Sequence, residues 1–174
     1  KGLIDTTVEG GSTSNPADIS VPSDAVAKYT DELDRITTFE FQHLGGPTKI
    51  TDPASNVITY ERNTRGQVTK ETRPDPDGTG PLGTQVTEFT YDTNGNLTQM
   101  VLPDTSSPSN ITRTWEYDSQ FNQVKKFTDE EDRITVYDID ATNGWVNYVS
   151  RVIGEDDNVA TNESDDLKTS YSYT

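Results

Sequence analysis

The feature that most constrains this chain is that it repeats itself. Val26 to Gln42 read VAKYTDELDRITTFEFQ, and Val124 to Asp140 read VKKFTDEEDRITVYDID. Nine of the seventeen aligned positions are identical, among them Thr30, Asp31, Asp34, Arg35 and Ile36 against Thr128, Asp129, Asp132, Arg133 and Ile134. Weaker copies run from Ile50 to Asn63, from Thr84 to Asp104 and from Ile111 to Asp132. Aspartates expected in turns mark the register at Asp31, Asp52, Asp75, Asp104 and Asp129, spaced by 21, 23, 29 and 25 residues. The longest spacing follows Asp75, in the Pro/Gly-rich stretch Pro74 to Gly83. Self-similarity at such a period marks a chain built by stacking supersecondary units. Two strands of roughly eight residues and two turns fill a period of about 20 to 25 residues, so each repeat reads as a hairpin.

Alternation supports the hairpin. Large side chains recur at i and i+2 in Phe39/Phe41, Phe89/Tyr91, Trp115/Tyr117, Tyr137/Ile139 and Tyr171/Tyr173. Period two puts both members on one face of a strand, and Glu40, Thr90, Glu116, Asp138 and Ser172 between them on the other. The copy containing Tyr60 breaks the pattern, with Arg62 in the second place. Rings from successive repeats are expected to form one ladder along the sheet. Asn94-Gly95 and Asn143-Gly144 supply the positive φ that tight hairpin turns need. No stretch shows a helical period. The expected fold is all-β: repeated antiparallel hairpins over residues 26–174 forming a long curved sheet. Residues 1–25, rich in Gly, Ser and Asp, read as a degenerate repeat or linker.

Composition narrows the class. Only 29% of residues are hydrophobic, too few for a thick core but enough for a sheet with one face in water. Thirty acidic against fourteen basic residues leave a net charge of −16, which repels nucleic-acid phosphates and anionic membranes. No apolar run is long enough to span a bilayer as a helix. There is no cysteine, hence no disulfide framework. The chain starts at Lys1, which reads as a processed or excised piece of a longer protein. A secreted or cell-surface location is the expectation.

Catalytic chemistry finds little support. The single histidine, His43, sits in a Gly-rich turn and reads as solvated. No nucleophile elbow, zinc-binding His pair or phosphate-cradling Gly loop is present. No enzyme is expected. The one metal candidate is the pair Asp75 and Asp77 in DPDGTG, whose alternating carboxylates resemble half of a calcium loop; the competing reading is a Pro-Asp-Gly turn. No other cofactor is indicated. The acidic clusters Asp129 to Asp132 and Glu155 to Asp157 read as hydrated turns.

The residues Phe89-Thr90-Tyr91-Asp92-Thr93-Asn94-Gly95-Asn96-Leu97 resemble the YD-repeat, or Rhs, family pattern aromatic-x-Tyr-Asp-x-x-Gly-x-Leu. Trp115-Glu116-Tyr117-Asp118 opens a similar copy with Phe121 in its turn, and Gln42, Asn63 and Asp140 hold the Asp place elsewhere. The resemblance covers residues 26–174. It implies a β-sheet spiralling into a hollow shell, with further repeats of the same chain, an enclosed toxin domain or a cell-surface ligand as partners. Asp75-Pro76-Asp77-Gly78 matches one DPxG motif of the family's self-cleaving region, but a second copy is missing, so it reads as a turn. The competing expectation is a carbohydrate- or protein-binding adhesion module aided by calcium.

Overall fold

Hairpins with five- and six-residue turns account for the repeat. A computed structural model describes residues 3–4, 10–12, 15–19, 25–42, 45–80, 83–103, 111–153 and 166–173. Its strands are β1 (Leu3–Ile4), β2 (Gly10–Ser12), β3 (Asn15–Ile19), β4 (Val26–Thr30), β5 (Ile36–Phe41), β6 (Pro47–Thr51), β7 (Val57–Arg62) and β8 (Val68–Arg73). They continue with β9 (Gln85–Tyr91), β10 (Leu97–Leu102), β11 (Ile111–Tyr117), β12 (Val124–Thr128), β13 (Ile134–Ile139), β14 (Val146–Arg151) and β15 (Leu167–Ser170). There is no helix among the described residues. From β4 onward every strand pairs with its chain neighbours in the order β4 to β15, with β1 beside β4; β2 and β3 form a separate pair. The all-β expectation of repeated antiparallel hairpins holds. The strands are shorter than the eight residues expected, because the turns take five or six.

The chain divides into two compact units, residues 1–88 and 89–174. In the first, cross-strand register sorts the two faces. One face carries the row Ala27, Phe39, Ile50, Ile58, Arg73, Gln85. The other carries Val26, Glu40, Lys49, Thr59, Thr72, Val86, with Glu61, Lys70 and Glu88 beside it. Ion pairs Lys49–Glu40 at 2.8 Å and Lys70–Glu61 at 3.7 Å cross that polar face. In the second unit the row Trp115, Phe127, Thr135, Arg151, Leu167 lies on one face and Glu116, Lys126, Val136, Ser150, Lys168 on the other.

These rows correct the ring ladder. Phe39 meets Ala27 and Ile50 across the strands, not another repeat's aromatic. Trp115 packs on Phe127 of its own hairpin, with centroids 5.3 Å apart, and the row then passes to Thr135. The cause is the period. Equivalent positions of successive hairpins lie two strands apart, about 9.5 Å, beyond the ~7 Å reach of a ring contact. The intervening strand supplies the contact residue, which is Ile, Thr or Ala as often as an aromatic.

Burial is correspondingly sparse. Among the described residues only Ala25, Gly144 and Ser150 are buried, and no large side chain is fully enclosed. Among the described residues no second layer covers either face of these strands. Apolar side chains such as Phe39, Ile50 and Trp115 are half-buried by their neighbours alone.

Candidate functional site

What recurs in this chain is its turns, so the candidate site is the turn and what anchors it. Asp31 opens the turn between β4 and β5. Its Oδ1 accepts the amides of Leu33 at 2.8 Å and Arg35 at 3.0 Å, and its Oδ2 takes Arg35 Nε at 2.7 Å. Asp129 repeats this with Glu131, Arg133 and the Arg133 guanidinium. Asp52 does so with Ala54 and Asn56, and Asp92 with Asn94 and Asn96, the side-chain amide replacing the guanidinium. Asn63 holds Arg65 and Gln67 through its own Oδ1. Asp118 and Asp140 open six-residue turns and accept amides at i+2 and i+3. Such side-chain-to-backbone bonds fix a turn locally without any core.

Each of these turns also needs one residue in the left-handed region. That place is Asp34 (φ 58°), Gly45 (80°), Ser55 (69°), Gly66 (81°), Gly95 (97°), Asn122 (58°), Asp132 (58°) and Gly144 (77°). The expectation for Asn94-Gly95 and Asn143-Gly144 is met. The electrostatics follow from the hydrogen bonds. The Arg35 amide and guanidinium hold the Asp31 carboxyl below its ordinary range, and the Asn56 and Asn96 side chains do so for Asp52 and Asp92. At Asp129 burial pushes upward, but the Arg133 bonds outweigh it and the net shift is down. Glu130 is lowered by the bidentate guanidinium of Arg113, at 2.7 and 3.0 Å. The Asp129 to Asp132 cluster is therefore a turn with internal partners, more specific than a merely hydrated one.

The two kinds of turn differ. In the hairpins closed by the turns of Gln42, Asn63, Asp118 and Asp140 the pairing shifts at a β-bulge next to the turn, at Glu40/Phe41, Glu61/Arg62, Glu116/Tyr117 and Asp138/Ile139. Pairing across the turns of Asp31, Asp52 and Asp129 runs without a shift. On the bulged side a clamp appears that the sequence did not disclose. The Tyr117 hydroxyl donates to the carbonyl of Leu97 at 2.9 Å, and that of Tyr173 to Val146 at 2.9 Å. In the first unit Arg62 Nε donates to Pro47 at 3.2 Å and Nη1 to Gly66 at 2.8 Å. Leu97, Val146 and Pro47 each open the strand that follows a five- or six-residue turn, so all three bonds tie one hairpin to the turn before it. Arg62 thus performs the second tyrosine's task, and the apparent break in the pattern at that residue is a replacement in kind. The carboxylates of Asp92 and Asp118 beside these strands serve their own turns.

Neighbouring turns of the second unit touch directly. Asn122 exchanges side-chain bonds with Asn96 at 2.6 and 3.0 Å. Gln123 Nε2 donates to the Gly144 carbonyl at 2.9 Å. The Phe121 ring lies so close to Gly144 that a Cβ there would be 2.9 Å from it, on a backbone already at positive φ. Burial, with a smaller contribution from the Asp92 charge, raises the Tyr117 hydroxyl above its ordinary pKa, which keeps it a donor.

The remaining singled-out residues are ordinary strand positions. Phe41 closes β5 opposite Pro47, and Tyr60 lies opposite Glu71 with the Arg62 guanidinium 5.8 Å from its ring centre. Phe89 and Tyr91 end β9, and Tyr137 faces Val149. Tyr171 follows β15, half-exposed. His43, Asp104 and Glu155 to Asp157 lie outside the described residues. No protein-family model matches the chain, and no curated protein matches it.

The first unit holds an open pocket of about 380 Å3 on its apolar face, lined by Ile50, Asp52, Asn56, Ile58, Arg73, Pro74, Asp75, Pro76 and Gln85. Asp75 reaches it, while Asp77 is exposed and donates its amide to Asp75 Oδ1 at 3.1 Å. Arg73 is paired with Glu71. Among the described residues no group of three or more His, Cys, Asp or Glu stands close enough to hold a metal ion.

Proposed function

We propose that this chain is a structural segment of an extracellular YD/Rhs-repeat protein, a stretch of wall in a hollow β-shell that encloses a toxin or presents a surface. The observation that carries the reading is a sheet that has no second layer among the described residues, with seven of its turns closed by their own Asp or Asn side chains. A catalytic protein needs a concave, desolvated site held by a packed scaffold. A wall needs repeating hairpins, two distinct faces and locally self-sufficient turns, and these are the features that recur here. The lack of cysteine makes a direct test simple. Thr37 and Thr38 alternate across the β5 strand, facing Tyr29 and Lys28 respectively. In the intact repeat protein, a cysteine at one of these positions should react slowly with a polymer-linked maleimide and a cysteine at the other quickly, the difference vanishing on unfolding. Equal rates in the folded protein would remove the shell.

A second reading, a calcium-aided glycan- or protein-binding module, draws on the pocket. Asp52, Asn56, Asp75 and Gln85 offer hydrogen-bonding groups beside Ile50 and Ile58. It predicts a rise in melting temperature with calcium or with a member of a glycan panel. An unchanged melting curve across both sets it aside.

A further inference from the structure

We propose that the Asp77–Gly78 peptide is a site of backbone modification, where the folded chain converts aspartate to isoaspartate through a succinimide while its two Asn-Gly dipeptides are protected. The sequence holds three Asx-Gly dipeptides: Asp77-Gly78, Asn94-Gly95 and Asn143-Gly144. In each the glycine nitrogen can attack Cγ of the side chain before it, since glycine has no Cβ to obstruct the approach. In an unfolded chain the asparagine pairs react faster, because a carboxylate, unlike an amide, resists attack until it is protonated.

The fold reverses this order. The attacking nitrogen must give up its proton and turn toward Cγ. The Gly95 amide is committed to the Asp92 carbonyl at 3.1 Å, and the Gly144 amide to the Asp140 carbonyl at 2.8 Å. Their target side chains are held as well. Asn94 Nδ2 donates to Asn122 Oδ1 at 3.3 Å, and Asn143 Oδ1 accepts the Trp145 amide at 2.8 Å. Gly78 differs on each count. It is exposed, and its amide makes no hydrogen bond among the described residues. A Cβ added there would meet nothing within 4 Å, so a closing ring has room. The Asp77 carboxylate leans forward along the chain, where a Cβ on Gly80 would collide with it. The Asp77 carbonyl accepts the Thr79 amide at 2.8 Å, closing a three-residue turn about Gly78 at φ 70°, a strained turn type.

The reaction needs only water. The Gly78 nitrogen bonds to Asp77 Cγ, and its proton leaves with the carboxyl hydroxyl as water. The succinimide then takes up water at either carbonyl. Breaking the new bond restores aspartate. Breaking the original peptide bond leaves the main chain running through Cβ and Cγ, one atom longer, which releases the tight turn. The Asp77 amide donates to Asp75 Oδ1 at 3.1 Å, and Pro74, Asp75 and Pro76 line the pocket beside Ile50 and Ile58. Isomerisation therefore remodels the rim of that pocket. The proposal rests on the geometry of this segment, independently of the shell reading.

Incubating the full chain at neutral pH in water enriched in oxygen-18, then mapping its peptides, tests it. The folded protein should accumulate labelled isoaspartate at residue 77 ahead of any deamidation at Asn94 or Asn143, and in denaturant that order should invert. Gly78→Ala should suppress the product at residue 77, and Asp77→Asn should hasten it, both with an unchanged circular dichroism spectrum. An unlabelled Asp77 in the folded chain, or Asn94 or Asn143 reacting ahead of it there, would overturn the assignment.

Discussion

At the scale of single residues the fold rests on turn chemistry, and a few substitutions isolate it. Gln42 stands where the other turns have Asp or Asn, one methylene too long for their bonds, and its side-chain nitrogen is buried with no hydrogen-bond partner among the described residues. Gln42→Asp should raise stability by about 1 kcal/mol, read from thermal melting. Asp92→Asn should melt close to wild type, since Asn63 already does this work, whereas Asp92→Ala should melt clearly lower because three donors lose their acceptor. The lowered carboxyls give a pH dependence of fixed sign. A group whose folded pKa is depressed contributes stability above its ordinary value, and that contribution is lost as the pH falls through the depressed one. Asp31, Asp52 and Asp92 should therefore add no slope near neutrality and a loss of stability below about pH 4. The Asp92→Asn variant should show a smaller part of that loss. Gly144→Ala combines a positive φ with the Phe121 ring and should cost about 2 kcal/mol.

At the scale of strands and turns the clamp is the element that ties hairpin to hairpin. Tyr117→Phe removes only the bond to Leu97 and should cost about 1 kcal/mol in chemical denaturation. Trp115→Ala removes the ring that packs on Phe127 and should cost roughly 3 kcal/mol. Arg62→Tyr should be tolerated better than Arg62→Ala if the two residue types share the clamp, a comparison that melting decides. Strand positions, turn positions and the left-handed Gly95 and Gly144 are legible in the sequence, because period-two alternation and the Asn-Gly dipeptide are local signals. The clamp was not, although Tyr117, Tyr173 and Arg62 stand in equivalent places. A tyrosine in a strand reads as a packing residue until a carbonyl is seen at its hydroxyl. The ring ladder was misread for a metric reason: a period along the chain fixes which residues are equivalent, but the distance between equivalents is two strands, and no sequence pattern states it. The pocket depends on how the Pro74 to Gly80 segment lies beside Ile50 and Ile58, which again is not written in any spacing.

At the scale of the molecule the sparse burial is the property from which the proposed function grows. A chain with 29% hydrophobic residues spends them on one face of a sheet and on the cross-strand neighbours of that face, and leaves little to enclose. Stability then comes from nearest-neighbour strand pairs and from turns that satisfy themselves, as in other repeat architectures. The most direct test of that claim is the heat-capacity change on unfolding, measured by calorimetry at the lowest workable concentration. A globule of 174 residues shows about 2.1–2.6 kcal/mol/K, because apolar surface hidden in a core becomes hydrated. A sheet that hides little in the first place should give a value well below about 2 kcal/mol/K. A measured change in the ordinary globular range would mean that a second layer covers these strands, and would contradict the account.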